Sequence, residues 1–207
     1  MSGRLWRIPV LLLALSAAGC SLLPKSEPVT LHRYRLELPA AEAGAHRGEG
    51  PRLLLVSNAL PAELATPRML YQQRDHEVSY FARSRWVNEP ARMLADALVE
   101  RLVATGAFGD VALPGSGVSP DLRVELELLG FQQDFRQHPS RFRVRLRVRL
   151  TDTRSGALLG VRLFEADAQA PSDDPYGGVQ AANQAVSEVL PEVAGFIRNA
   201  AERWAAR

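Results

Sequence analysis

A chain of 207 residues with 46% hydrophobic side chains is long enough to bury one globular core, and its length predicts a single folded domain. Arg4 and Arg7 account for two of its 25 basic residues, which leaves 23 basic against 23 acidic side chains in the rest of the chain. That neutral balance lacks the basic excess typical of nucleic-acid-binding proteins, so we expect no nucleic-acid partner.

The first 19 residues are predicted to be a secretion signal. Arg4 and Arg7 precede an apolar run over residues 8–18, and this order is typical of a signal peptide. The run is shorter than the roughly 20 residues that cross a bilayer as a helix. We therefore expect residues 1–19 to be removed rather than to join the fold.

Cys20 is predicted to carry a membrane anchor. It is the only cysteine, so it can form no internal disulfide, and Ala17-Ala18-Gly19-Cys20 resembles the lipobox of bacterial lipoproteins. Each buried acyl methylene contributes about 0.8 kcal/mol, so several chains anchor a protein firmly. Ser21 stands where Asp would signal retention at the inner membrane, and in this it resembles lipoproteins that are sorted to the outer membrane. Residues 20–28 are interpreted as the lipidated tether and residues 29–207 as the folded domain; a plain signal peptide before a buried cysteine is the alternative.

Alternating and apolar runs predict the first strands. Residues 31–38 alternate, and residues 52–60 are apolar enough for a strand that is buried on both faces. Between them, residues 40–51 are rich in Ala, Gly and Glu and predict a surface loop. Residues 69–73 and 78–81 are predicted to form two short strands joined by a polar turn.

A regular helical pattern follows Asn88, which is predicted to cap it, with Glu89 and Pro90 in the first turn. Its apolar stripe consists of Ala91, Leu94, Ala95, Leu98 and Leu102. Gly106 is predicted to end this helix.

Three strands in a meander are predicted next. The first has an apolar face formed by Leu122, Val124, Leu126 and Leu128. The change of parity to Phe131 predicts a β-bulge near residues 129–130. Residues 141–150 alternate arginine with apolar side chains, which is the clearest strand pattern in the chain. The third strand is predicted to run through Leu159, Val161 and Leu163.

The chain closes with a helix that is predicted to begin near Gly178 and to kink or break at Pro191. Its apolar stripe consists of Ala182, Ala185, Val186, Val189, Val193, Phe196, Ile197, Ala200 and Trp204. The order of elements predicts an α+β fold. We expect a two-layer sandwich in which a mostly antiparallel or mixed β-sheet carries two main α-helices on one face.

An ordered series of short motifs runs through the folded domain. These are Tyr34-x-Leu36, Leu60-Pro61, Pro67-Arg68-Met69-Leu70-Tyr71, Tyr80, Arg85-Trp86, Glu89-Pro90, Thr105-Gly106-Ala107-Phe108, Gln133-Asp134-Phe135 and Ala181-Ala182-Asn183-Gln184-Ala185. In this order they resemble the ABC-type transport auxiliary lipoprotein family, the PqiC-like group. Residues 40–50 and Val87-Asn88 depart from the family pattern.

The resemblance implies an auxiliary, non-enzymatic role in lipid transport between the inner and outer membranes. The partners that it implies are an ABC permease with its ATPase and a membrane-anchored MCE-domain protein that spans the periplasm. The implied location is the outer membrane, facing the periplasm. Whether the chain forms a homo-oligomer stays open.

No catalytic residue, metal site or cofactor is predicted. The histidines lie in separate segments without the paired spacing of a zinc site: His32, His46, His76 and His138. Ser116 lacks the Gly-x-Ser-x-Gly pattern of a hydrolase nucleophile. No glycine-rich phosphate loop is present, so ATP hydrolysis would belong to a partner.

The arginines of residues 141–149 are one candidate site, in which Arg143, Arg145 and Arg147 could contact anionic lipid headgroups or an acidic partner. The alternative, which we favour, is cross-strand pairing with Glu125 and Glu127.

Arg68, Tyr71, Tyr80 and Trp86 are candidate partner-binding residues, since aromatic side chains beside a proline-rich segment can anchor an interface. Core packing beneath the first helix is the alternative for Trp86.

Three functions stay open. The first, which the resemblance implies, is a tethered component that docks on the distal end of an MCE-type assembly. The second is a domain that carries lipid in an apolar pocket between its sheet and helices. The third is a periplasmic hydrolase, which lacks the nucleophile and metal patterns that it would need.

Overall fold

The computed structural model describes residues 30–40, 49–57, 61–117 and 119–207. Within these ranges Leu31–Arg207 forms one compact unit, and all of the buried apolar core described below belongs to it. Cys20, the signal segment, most of the predicted loop 40–51 and the end of the predicted strand 52–60 lie outside the described residues.

The described residues form eight strands and two helices. The strands are β1 (His32–Tyr34), β2 (Arg52–Ser57), β3 (Arg68–Arg74), β4 (Glu77–Trp86), β5 (Asp110–Ala112), β6 (Leu122–Asp134), β7 (Arg141–Asp152) and β8 (Leu158–Gln169). The helices are α1 (Pro90–Ala104) and α2 (Pro175–Ala205).

These strands form one mixed sheet around β6. Along one edge β6 pairs antiparallel with β7, which pairs antiparallel with β8. Two strands pair with the other edge of β6, and both are parallel to it. β2 pairs with the first half of β6, and β3 pairs with its end. Outside them, β5 is parallel to β2, β4 is antiparallel to β3, and β1 is parallel to β4.

Both helices cover the same face of the sheet, and the predicted α+β sandwich is confirmed. Helix α2 contacts β6, β7 and β8, while α1 contacts β2, β5 and β6. The even-numbered residues of β7 from 142 to 150 point toward the helices and are buried, whereas the odd-numbered arginines are half-exposed or exposed. Each fully buried Leu or Val contributes about 1.5–3 kcal/mol, so this alternation holds the two layers together.

The predicted bulge in β6 is confirmed, because its register with β7 shifts between Leu128 and Gly130. The predicted burial of β2 on both faces is wrong: Leu53 and Leu55 are fully buried, but Leu54 and Val56 are only half-buried. The outer side of β2 is therefore left without a second layer.

Both predicted helix starts need correction. Glu89 is the residue before α1, and the side chain of Asn88 accepts a hydrogen bond from the Glu89 backbone N–H at 2.9 Å instead of capping the helix. Helix α2 begins at Pro175, because the Asp174 carboxylate accepts from the Gly177 N–H at 2.8 Å. The helix also continues through Pro191, so of the two predicted outcomes, a kink or a break, the break is wrong.

Candidate functional site

The five odd-numbered arginines of β7 form a row on the sheet face opposite the helices, which we call the arginine ladder. The ladder consists of Arg141, Arg143, Arg145, Arg147 and Arg149. On one side the register places Glu125 opposite Arg149 and Glu127 opposite Arg147. On the other side it places Glu165 opposite Arg145. Carboxylates therefore flank the ladder along both of its edges.

Every arginine of the ladder is paired with a carboxylate. The guanidinium nitrogens lie 2.8 Å from Glu127 for Arg147 and 2.7 Å from Glu165 for Arg145. Longer contacts of 3.8 Å join Arg149 to Glu125 and Arg143 to Asp134, and Arg141 contacts Asp167 directly. These arginine side chains are 33% to 52% exposed, so each pair contributes at most about 1 kcal/mol. An anion that bound Arg143, Arg145 or Arg147 would have to compete with these carboxylates.

The candidate partner-binding residues of β3 and β4 do not form one surface. The guanidinium carbon of Arg68 lies 3.8 Å from the centre of the Tyr80 ring, and the Tyr80 hydroxyl donates to the Glu63 carbonyl at 3.1 Å. Leu70 pairs with Tyr80, and Tyr71 pairs with Ser79. Since successive residues of a strand point to opposite faces, Tyr71 lies on the other side of the hairpin from Tyr80.

Tyr71 belongs to a half-buried aromatic cluster with Phe81 and Phe135. The Tyr71 ring centre lies 4.5 Å from that of Phe81 and 5.9 Å from that of Phe135. Phe135 follows β6, so the cluster joins the end of β6 to the β3–β4 hairpin. We call these three residues the Tyr71 cluster.

Trp86 lies in the core. Its side chain is 2% exposed, and its ring centre lies 5.3 Å from that of Phe131 and 6.2 Å from that of Phe142. A partner cannot reach a side chain that is enclosed in this way, so we leave Trp86 out of the candidate interface.

Several carboxylates near the sheet ends are held in the charged form. The Arg136 guanidinium, which donates to Asp134, lowers the pKa of that carboxyl although burial opposes the shift. The indole N–H of Trp204 and nearby backbone N–H groups lower the pKa of Asp152 to about 2. The Ser140 backbone N–H, together with His138, lowers the pKa of Asp173 to about 2.

We expect the fold to lose stability in acid because of Asp152 and Asp173. Both have folded-state pKa values of about 2 against an ordinary value of 3.8. Each therefore stabilises the fold above about pH 4, and this contribution is lost as the pH falls toward about 2. Urea unfolding midpoints across this range measure the effect. Asp173→Asn should make the midpoint fall less steeply with acid, and an unchanged slope would contradict the assignment.

Open grooves lie on the helical side of the domain. A groove of about 660 Å³ between α1 and α2 is lined by residues that include Arg101, Thr105, Pro191 and Ala194. Leu98, Leu146 and Val186, by contrast, are fully buried between the layers.

Neither a metal site nor a membrane span is found in the part of the chain that the structure describes. No group of three or more His, Cys, Asp or Glu side chains there could hold a metal ion. No helix in the described ranges combines the length and hydropathy needed to cross a membrane.

A family described as the ABC-type transport auxiliary lipoprotein component matches residues 34–194. Protein XCC0632 from Xanthomonas campestris has a similar structure, with a TM-score of 0.77, 18% sequence identity and coverage of 84% of this chain and 99% of that chain. An uncharacterized protein is also similar, with a TM-score of 0.63, 20% identity and coverage of 81% and 99%. No curated protein matches the sequence. At these identities the structural likeness establishes the fold alone.

Proposed function

The chain belongs to the ABC-type transport auxiliary lipoprotein family, and on this premise we propose that it is a non-enzymatic component of a system that moves lipid between the inner and outer membranes. The observation that carries the proposal is the family match over residues 34–194, which takes in nearly all of the compact unit Leu31–Arg207. The match includes all of α1, α2 as far as residue 194, and the β3–β4 hairpin, so it concerns most of the fold and not one motif.

We place the protein at the outer membrane, anchored by lipid on Cys20 and facing the periplasm. A tether confines the domain to a thin layer beside one membrane, which raises its effective concentration for any partner at that surface. Contacts that are too weak to hold a freely diffusing protein then suffice to form a complex. The tether thus allows a small docking surface on the domain to hold a partner at the membrane.

Docking is assigned to the Tyr71 cluster, and the partner is an MCE-domain protein that works with an ABC permease and its ATPase. Tyr71, Phe81 and Phe135 are half-buried, so each keeps part of an aromatic ring accessible. Aromatic side chains are enriched at protein interfaces because they bury a large area with few rotatable bonds. A lipid carried between sheet and helices would have to displace core side chains such as Leu146 and Val186, which are fully buried there, so we favour docking.

Affinity capture tests this function. The tagged chain, purified from detergent extracts of its own cells, is expected to bring down MCE-domain and ABC-transporter subunits. Tyr71→Ala should weaken this capture, whereas Tyr176→Ala, which removes an exposed tyrosine at another part of the surface, should not. Capture that contains neither kind of subunit would count against the proposed function.

Membrane fractionation of the same cells tests the anchor. Cys20→Ser should remove the chain from the outer-membrane fraction and abolish incorporation of labelled palmitate, because no other cysteine can accept the lipid. If the variant stays in that fraction, the anchor is not at Cys20.

A further inference from the structure

A second set of arginines lies in one row across three neighbouring strands. In the register of the sheet Arg33 of β1 is opposite Arg85 of β4, and Arg85 is opposite Arg68 of β3. Adjacent strands are about 4.8 Å apart, so the three side chains start from neighbouring positions. All three residues are exposed. We call Arg33, Arg85 and Arg68 the arginine row.

The arginine row lacks the carboxylates that flank the arginine ladder. Within the described residues no carboxylate oxygen lies within 4.0 Å of a guanidinium nitrogen of Arg33, Arg68 or Arg85, and the Arg68 group lies over the Tyr80 ring instead. Like charges directly opposite one another on a sheet are destabilising. The row therefore concentrates positive charge that the fold itself does not neutralise.

An open groove of about 680 Å³ borders the row at β1 and is lined by residues that include Arg33, Tyr34 and Glu37. Tyr34 pairs with the core residue Trp86, whereas Arg33 pairs with the exposed Arg85, so the Tyr34 ring and the Arg33 guanidinium leave β1 on opposite faces. The row therefore lies on the sheet face that also carries the arginine ladder. The apolar stems of its arginines can lie along a lipid surface while the guanidinium groups stay hydrated.

The row is also near the proposed anchor along the chain. Residues 21–32 separate Cys20 from Arg33, and fully extended they span at most roughly 40 Å. The bilayer that holds the lipid is therefore within reach of β1. Of the strands on the described sheet, β1 is the first to follow the tether.

We propose that the arginine row binds the phosphate groups of anionic phospholipids at the surface of the membrane that carries the anchor, and that this contact orients the domain. The Tyr71 cluster, on the other side of the β3–β4 hairpin, then stays free for a protein partner. The choice of membrane rests on the proposed anchor at Cys20, but the binding itself does not.

Vesicle binding by residues 21–207, which contain the whole compact unit and cannot be lipidated, tests the proposal. Co-sedimentation is expected with vesicles of phosphatidylcholine and phosphatidylglycerol, but not with phosphatidylcholine alone, and salt should weaken it. Replacing Arg33, Arg68 and Arg85 with Gln should lower the affinity about fivefold per arginine. The matched control replaces Arg145, Arg147 and Arg149 with Gln, which changes the net charge equally and should retain most of the binding.

Melting temperatures of both triple variants separate weakened binding from unfolding. Removing like charges that face one another stabilises the sheet, which offsets the loss of the Arg68 contact with the Tyr80 ring. Equal losses in the two triple variants, or equal binding to both kinds of vesicle, would overturn the proposal. Binding to polyglutamate but not to anionic vesicles would assign the row to an acidic protein and would overturn it as well. None of these outcomes bears on capture of the transporter subunits, so failure here is distinguishable from failure of the proposed function.

Discussion

Replacing Gly177 with alanine is expected to destabilise the protein, whereas the same change at Gly195, in the same helix, is expected to stabilise it. An alanine Cβ at position 177 would lie 2.1 Å from the backbone oxygen of Ser172. Backbone atoms cannot move aside as a flexible side chain can, and overpacking of this kind typically costs about 1–3 kcal/mol. At Gly195 a Cβ would meet nothing within 4 Å, and alanine is favoured over glycine inside a helix by about 1 kcal/mol.

Urea unfolding of the two variants measures both effects on the same helix. The Gly195→Ala variant also controls for the general gain in helix propensity, so the difference between the variants isolates the contact with Ser172. A Gly177→Ala variant as stable as the unmodified protein would mean that α2 does not start against Ser172.

Trp86→Ala is expected to lower the free energy of unfolding by about 3–5 kcal/mol. The ring is 2% exposed and packs against Phe131 and Phe142, so its removal leaves a cavity in the middle of the core. Aromatic pairs at these separations add to the loss, by up to about 1.5 kcal/mol each. Denaturant unfolding followed by circular dichroism gives the value directly.

Trp86→Phe is the matched variant, because it keeps an aromatic ring in the same place and should be much less destabilising. Affinity capture by the Trp86→Phe protein is expected to be normal. Normal stability of Trp86→Ala together with lost capture would instead make Trp86 a contact residue and contradict its place in the core.

The layers of the fold follow from local patterns, which is why they could be predicted. Arginine alternates with apolar residues along β7, and the change of parity before Phe131 marks the bulge, because side-chain direction depends only on position along one strand. Helix ends depend on finer contacts. Asn is a residue type that often caps helices, yet the Asn88 side chain accepts a hydrogen bond from the Glu89 N–H instead. Pro191 lacks an N–H group but is exposed, so solvent can replace the helix hydrogen bond that is missing there.

The ion pairs of the arginine ladder could be predicted only where the register of the two strands is regular. Glu125 and Glu127 were predicted to face the arginine ladder because β6 and β7 follow one another in a hairpin. The pairing of Arg143 with Asp134 depends on the bulge in β6, and the pairing of Arg145 with Glu165 depends on the register between β7 and β8. Neither of these two ion pairs was predicted.

The arginine row could not be found from the sequence. Arg33 and Arg85 meet through the parallel pairing of β1 with β4, which has no local signal, and their neighbours in the sequence give no sign of it.

The position of β6 has a consequence for how the protein matures. Both β2 and β3 pair with residues of β6 that are far along the chain: Leu53 pairs with Leu122, 69 positions later, and Leu70 pairs with Gln132, 62 positions later. On the proposed export to the periplasm, a chain that emerges with its N terminus first leaves the edge of β2 uncovered until residues 122–134 arrive. Open strand edges invite pairing with other chains. We expect the nascent protein to need a holding chaperone in the periplasm during that interval, and its yield to fall sharply when translocation stalls before β6.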